Sequence, residues 1–203
     1  SESAADLVLK GGVLMAAFAD RRPTRDTDFA ARGFANDFPE VERRVRSILA
    51  VPRDDGLEFD LDSVRGEQIR DDADYYGVRV KMAARLATAQ VALHIDMNFG
   101  DPIWPAPTEA VLPLLLGGTL RLLGYPDHMV LAEKIVTALE RGEQNTRWRD
   151  FTDIAAIARS RTIEGADLQE AIGVVARYRH VELEPLGPLL SQMSVLAQRK
   201  WEV

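Results

Sequence analysis

The chain contains no cysteine, which removes disulfides, thiolate zinc sites and cysteine nucleophiles together. Histidine is nearly as scarce, and His94, His128 and His180 are too dispersed to form a zinc motif. No GxSxG turn is present, so a hydrolase nucleophile elbow has no sequence support, although composition alone leaves a Ser-His-Asp triad open. Long apolar runs are missing too: the longest, around Val111 to Leu116, is broken by Pro113 and followed by Gly117 and Gly118. Nothing of that length spans a bilayer. Glu2 and Asp6 stand near the start with no basic-then-apolar pattern after them, so no signal peptide is expected. The plain expectation is a soluble cytosolic (cytoplasmic) protein without membrane contact. An excess of positive charge is also lacking. The net charge of −7 argues against a purely electrostatic nucleic-acid module, while leaving room for local basic patches.

What is present is an ordinary globular composition, 46% hydrophobic and 28% charged over 203 residues, enough for one large domain or two small ones. The pattern changes near Tyr125. Before it, short strands alternate with turn signals: Leu7 to Lys10, a helix from Gly12 to Ala19, a strand from Thr24 to Phe29, and a helix from Asp37 to Leu49 with arginines on its polar face. Leu57 to Val64 alternates apolar and acidic residues, as a half-buried strand does. Tyr76 to Leu86 and Val91 to Phe99 read as a hairpin turning at Ala87 to Gln90. A proline-rich loop from Asp101 to Pro107 precedes strands at Glu109 to Leu114 and Thr119 to Leu123. After Pro126 the periodicity is helical. Asp127 can cap a helix from His128 to Arg141 that Gly142 ends, and helices follow at Trp148 to Arg159, Ala166 to Tyr178 and Pro188 to Gln198. In the helix at Trp148, Phe151, Ile154, Ala155 and Ala158 form the expected apolar stripe. The expectation is an α/β (α+β) core over residues 1–125, followed by a helical C-terminal region over 126–203 packed on that core.

Three features of the front half carry chemistry. Gly11 and Gly12 separate a strand from a helix, where the backbone can approach a ligand and free N–H groups suit phosphate; a plain tight turn is the alternative. Asp26 and Asp28 are two apart on a strand and so share a face, where paired carboxylates repel unless a cation lies between them. Magnesium is the cation that oxygen donors of this kind suit; two solvated acids on an edge strand are the alternative. Asp96 sits among apolar neighbours in a run of β-formers, and a metal would offset the cost of facing a core. It could instead face solvent together with His94 and Asn98. Asp101 is the weaker candidate, since an aspartate before proline is common at a loop entrance.

Taken together, Lys10-Gly11-Gly12, then Arg22-x-Thr24-x-Asp26-x-Asp28, then Asp96 in a strand, resemble the nucleotidyltransferase superfamily with its polymerase-beta-like fold and mixed sheet. The LKGG and RPTRDTD segments are similar to those of the AbiEii branch, the toxins of type IV toxin–antitoxin systems. Glu133-Lys134 and Arg149-Asp150-Phe151-x-Asp153-Ile154 resemble that branch's later motifs, so the likeness runs from about Leu7 to Ile154. This chain departs from the wider superfamily in having Gly11-Gly12 where Gly-Ser is usual, Val13 where a hydroxyl residue is frequent, Arg149 where lysine is common, and Thr152 in place of an aromatic.

The resemblance implies an enzyme that binds Mg2+ and a nucleoside triphosphate (NTP). Asp26, Asp28 and Asp96 would hold metal, Lys10, Gly11, Gly12 and Arg25 would bind the nucleotide, and Lys134 would neutralise the triphosphate. Asp150 would either orient Lys134 or lie at the nucleotide, whereas Asp153 reads as a helix N-terminal acid. The implied acceptor is the 3′ end of tRNA, extended by pyrimidine nucleotides so that aminoacylation and translation stop, and a cognate antitoxin is the implied partner. Arginines at 21, 22 and 25 and at 141, 147 and 149 beside Trp148 could serve an RNA end; those at 43, 44 and 46 share with them the alternative of surface ion pairing. Two other readings stand beside this one: transfer of a nucleotide or a phosphate to a protein hydroxyl, and a degenerate module that acts only through partners.

Overall fold

The computed structural model describes residues 5–19, 24, 26–70, 76–142, 145 and 147–191. The chain forms two compact units, one comprising Ser1–Ala17, Arg21–Asp101 and Thr108–Gly124, the other Phe18–Asp20, Pro102–Pro107 and Tyr125–Val203. The fold is mixed α/β, a sheet in the first unit followed by helices in the second.

The first unit is built on a seven-stranded sheet of order β3-β4-β5-β2-β1-β7-β6. Its strands are β1 (Leu7–Lys10), β2 (Thr27–Ala31), β3 (Leu57–Arg70), β4 (Tyr76–Leu86), β5 (Ala89–Phe99), β6 (Thr108–Pro113) and β7 (Thr119–Gly124). β2 runs parallel to β5 and β1 parallel to β7; the other neighbours are antiparallel, so the sheet is mixed. Helix α1 (Gly11–Leu14) follows β1 and passes into a 3-10 turn, Met15–Ala17. Helix α2 (Phe38–Leu49) covers one face. It starts where Asp37 accepts a hydrogen bond from the Glu40 N–H at 2.9 Å, with Pro39 in its first turn. Its Val41 and Val45, one turn apart, are buried against Val64, Val78, Val80, Met82 and Met97. Alternation along each strand turns the intervening residues of β1, β2, β4 and β5 to the other face.

Several boundaries differ from the sequence expectation. β2 begins at Thr27, not Thr24, because β1 gives way to α1 at Gly11; Lys10 pairs with Asp28, and β1 offers no partner for Asp26. β3 continues past Val64 to Arg70 through charged residues, since as an edge strand it needs only one buried face. The β4–β5 turn tightens to Ala87 and Thr88, with Ala87 at φ 52°, so Ala89 and Gln90 join the ladder.

In the second unit, α3 (Asp127–Arg141) is buried around most of its circumference and ends at Gly142, φ 50°. Pro126 takes the cap position, so Asp127 lies inside the helix, where it accepts from the His128 N–H at 2.9 Å and from Arg161 Nε at 3.1 Å. Helix α5 (Gly165–Arg179) packs on α3, and Arg179 donates to the Thr137 hydroxyl at 2.8 Å. Helix α4 (Trp148–Ser160) buries Asp150, Asp153 and Ile157. The expected stripe at Phe151, Ile154 and Ala155 is only half-buried and Ala158 is exposed, because the inward face is chosen by the two aspartates and their lysine partner. A four-residue helix α6 (Leu186–Leu189) replaces the start of the last expected helix, whose remainder from residue 192 lies outside the described residues. Among the described residues no helix is long and apolar enough to cross a membrane.

Candidate active site

The face of the sheet opposite α2 carries a lateral row of charge. Lys10 on β1 is the register partner of Asp28 on β2, Asp28 of Asp96 on β5, Asp96 of Arg79 on β4, and Arg79 of Glu67 on β3. Register partners on neighbouring strands point to the same side, their Cβ atoms about 5 Å apart. Two carboxylates therefore stand side by side at the centre of the sheet with a cationic residue on each flank. Asp26, two residues ahead of Asp28, reaches His94 on β5, where Oδ1 and Nε2 are 2.7 Å apart.

Each acid in this group is already engaged. Arg79 donates to both oxygens of Asp96, Nε to Oδ1 at 2.7 Å and Nη2 to Oδ2 at 2.6 Å. That forked bond, with the charge of Asp96 and the fields of Asp26 and Glu67, raises the guanidinium above its ordinary range against the opposing effect of burial. Lys10 is buried, 7% exposed, and its ammonium lies 2.8 Å from Asp101 Oδ2. Asp101, at the end of β5, thus ties the loop entrance back to β1.

Gly11 has φ +66°, and a Cβ built there would lie 2.0 Å from Asp28 Oδ2. The missing side chain at this glycine makes room for the Asp28 carboxylate. Gly11→Ala is expected to destabilise the protein by about 1–2 kcal/mol through the left-handed backbone alone, and to push Asp28 out of its row as well. A urea midpoint equal to wild type would count against this close packing.

The second unit holds its own charged cluster. Lys134 of α3 donates to Asp150 Oδ1 at 2.6 Å and to Asp153 Oδ2 at 2.9 Å, and Arg147 Nε lies 2.9 Å from Asp150 Oδ2. Asp150 and Asp153 are 5% and 2% exposed. One turn of α4 sets both acids on the face toward α3. Lys134 is therefore not a solvated helix lysine.

Of the residues singled out in the sequence, Lys10, Gly11, Asp28 and Asp96 come together in the first unit with Asp26 at their edge, and Gly12 follows in α1. Lys134 meets Asp150 in the second unit. Arg25, together with Arg21 and Arg22, lies outside the described residues. Arg43 and Arg44 pair with Glu40, Arg44 also with Asp6, and Arg46 with Glu42, so these three fasten α2. Arg79 carries no isolated signal of its own, and Asp153, read in the sequence as a helix N-terminal acid, is instead a buried partner of Lys134. The motif spacing to Asp150 does name Asp153, whereas Arg79 becomes visible only through the β4–β5 register. Among the described residues no group of three His, Asp or Glu is already gathered around a single metal position.

The fold is thus a mixed sheet followed by helices, the α/β architecture found among nucleotidyltransferases. The chain belongs to the family described as nucleotidyl transferase AbiEii toxin, type IV toxin–antitoxin system, whose sequence profile matches residues 1–202. Among solved structures, the JHP933 protein of Helicobacter pylori superposes with TM-score 0.53 at 16% identity, over 95% of this chain and 82% of that one. An antigenic nucleotidyltransferase-like protein from Paracoccidioides brasiliensis aligns at TM-score 0.46 and 17% identity, over 93% of this chain and 83% of that one. No curated protein matches the chain. The protein is a nucleotidyltransferase toxin of a type IV system, and its family implies a nucleoside triphosphate substrate and an antitoxin partner.

Proposed function

We propose that this toxin transfers a nucleotide, preferentially a pyrimidine nucleotide, from a nucleoside triphosphate to the 3′ end of tRNA, and so blocks aminoacylation. The observation that carries the reading is the pairing of Asp28 with Asp96 on adjacent parallel strands, with Asp26 two residues upstream. Their donors are all carboxylate oxygens, the set a hard divalent cation takes, and Gly11 leaves space for one of them. Asp26, Asp28 and Asp96 supply the oxygen donors magnesium takes, although among the described residues no three acids are gathered around one position. A bound magnesium would supply Lewis-acid stabilisation of the phosphoryl group.

The chain's own groups do the remaining work. Gly11 keeps the β1–α1 turn narrow enough for Asp28 to lie against it, and Gly11 and Gly12 lend N–H groups for phosphate. Lys10 holds Asp101 and so fixes the end of β5 beside Asp96. Lys134, held by Asp150 and Asp153, is assigned to the triphosphate by the family resemblance, with Asp150 as its positioning partner. Arg25 is assigned to the nucleotide by the family resemblance. Trp148 and the neighbouring Arg147 and Arg149 offer an aromatic surface with positive charge, which suits an unpaired RNA end.

The test is incubation of the full chain with magnesium, total tRNA and each α-labelled nucleoside triphosphate in turn, with Asp26→Ala alongside. Label on tRNA, strongest with a pyrimidine nucleotide and absent with Asp26→Ala, is the expected result. Label on protein in place of RNA would replace the acceptor. No transfer and no nucleotide binding by the folded chain would remove the enzymatic reading.

A further inference from the structure

The chemistry proposed above asks Asp96 to take a metal, yet both of its oxygens are held by Arg79. Arg79 and Asp96 are register partners, so the strands fix them opposite one another. A fork–fork pair of this geometry is among the strongest side-chain contacts available. It also relieves the repulsion that Asp28 would otherwise exert on Asp96 from the opposite side.

Two features distinguish this pair from a fixed structural bridge. The Arg79 side chain is 34% exposed while that of Asp96 is 11% exposed, so the guanidinium can move toward water and the carboxylate cannot. A second carboxylate also waits on Arg79's other side: Glu67 is its register partner on β3, held at present by the exposed Lys81, at 2.8 Å from Oε2. An arginine that leaves Asp96 has an acid beside it and does not have to stand alone.

We propose that Arg79 is a displaceable counter-cation for Asp96, holding both carboxylate oxygens until a divalent cation takes them and then shifting toward Glu67. This rests on the reading that Asp28 and Asp96 share a cation. Metal loading is then an exchange of one positive partner for another, and the affinity for free cation is set low by the arginine. The acids are kept paired and in place between uses, at the cost of competing with the metal for Asp96.

The test is a titration of the full chain with manganese(II) alone, without nucleotide, reading free cation by its paramagnetic resonance. Asp28→Asn should weaken binding, which checks the underlying site. Arg79→Gln should tighten binding by about three- to tenfold, the change expected when a neighbouring unit charge and a direct competitor are both removed. Arg79→Lys keeps the charge but cannot grip both oxygens, so it should tighten binding too, by less. In an Asp96→Asn background, Arg79→Gln should give a clearly smaller gain, the part due to the charge alone.

Unchanged or weaker binding by Arg79→Gln, with its urea midpoint showing a folded protein, would overturn the inference. Wild-type affinity in Arg79→Lys would overturn it as well, by showing that only the long-range field acts. A gain of undiminished size with Asp96→Asn would do the same, because Arg79 would not then be acting through Asp96. If Asp28→Asn binds manganese as wild type does, the site reading itself fails and this inference falls with it. If Asp28→Asn weakens binding and the Arg79 variants do nothing, only the exchange is lost.

Discussion

Asp28→Asn should fold as wild type does and transfer nucleotide about 10³-fold more slowly, a rise of about 4 kcal/mol in the barrier. The substitution preserves shape and leaves the packing against Gly11 intact, so the backbone has no reason to move. What it removes is one of two adjacent negative charges, and that charge density is what the proposed chemistry uses. Like charges directly opposite on neighbouring strands destabilise a sheet, so losing one should leave stability within about 1 kcal/mol of wild type. Activity and stability should therefore separate. The comparison needs single-turnover transfer of labelled nucleotide beside a urea denaturation curve. Transfer within a few-fold of wild type would mean that Asp28 does not serve the reaction.

Lys134→Ala should behave in the opposite way and damage both. Removing the ammonium takes a partner from both Asp150 and Asp153, in a place where both acids are nearly inaccessible. Breaking a buried ion pair from one side costs about 3–5 kcal/mol, because the remaining charge is left uncompensated. A fall in Tm of roughly 10 °C is the expected reading. The double variant Lys134→Ala/Asp153→Asn should recover part of that stability, since one of the two buried charges that lost the lysine is gone, but none of the transfer. A single variant as stable as wild type would show that the cluster contributes nothing to the fold. A double variant that transfers nucleotide would remove Lys134 from the proposed role.

The sequence was informative wherever one segment decides its own structure. Helix α2 was legible because Val41 and Val45 recur one turn apart behind Asp37, and β4 and β5 because their apolar residues alternate over eleven residues each. The mixed α/β class followed from those patterns and from the Gly-Gly and Asp-x-Asp motifs. Misplaced features depended on a second segment. The start of β2 is set by where β1 stops, and the length of β3 by β4, which pairs with it from Leu57 to Arg70 across a register shift between Asp60 and Arg65. The inward face of α4 is selected by Lys134, fourteen residues before that helix begins, and not by its own apolar stripe. In the candidate site, single acids could be named from motif spacing, but the ring of partners around them could not. Arg79, His94 and Asp101 are brought to Asp96, Asp26 and Lys10 by strand register and by the end of β5, which local periodicity does not encode.

The sheet order also has a consequence for how such a protein is made. β2 and β5 are neighbours in space, yet β3 and β4 come between them in the chain and are laid down outside them in the sheet. Contacts that close so long a loop form late, after the intervening segment has been made. A nascent chain carries Asp26 and Asp28 early, but until synthesis has passed Phe99 there is no strand to set Asp96 beside them. On the ribosome that builds this toxin the proposed site therefore stays unassembled until β5 has been made, and Asp28 and Asp96 meet only once that strand has left the exit tunnel.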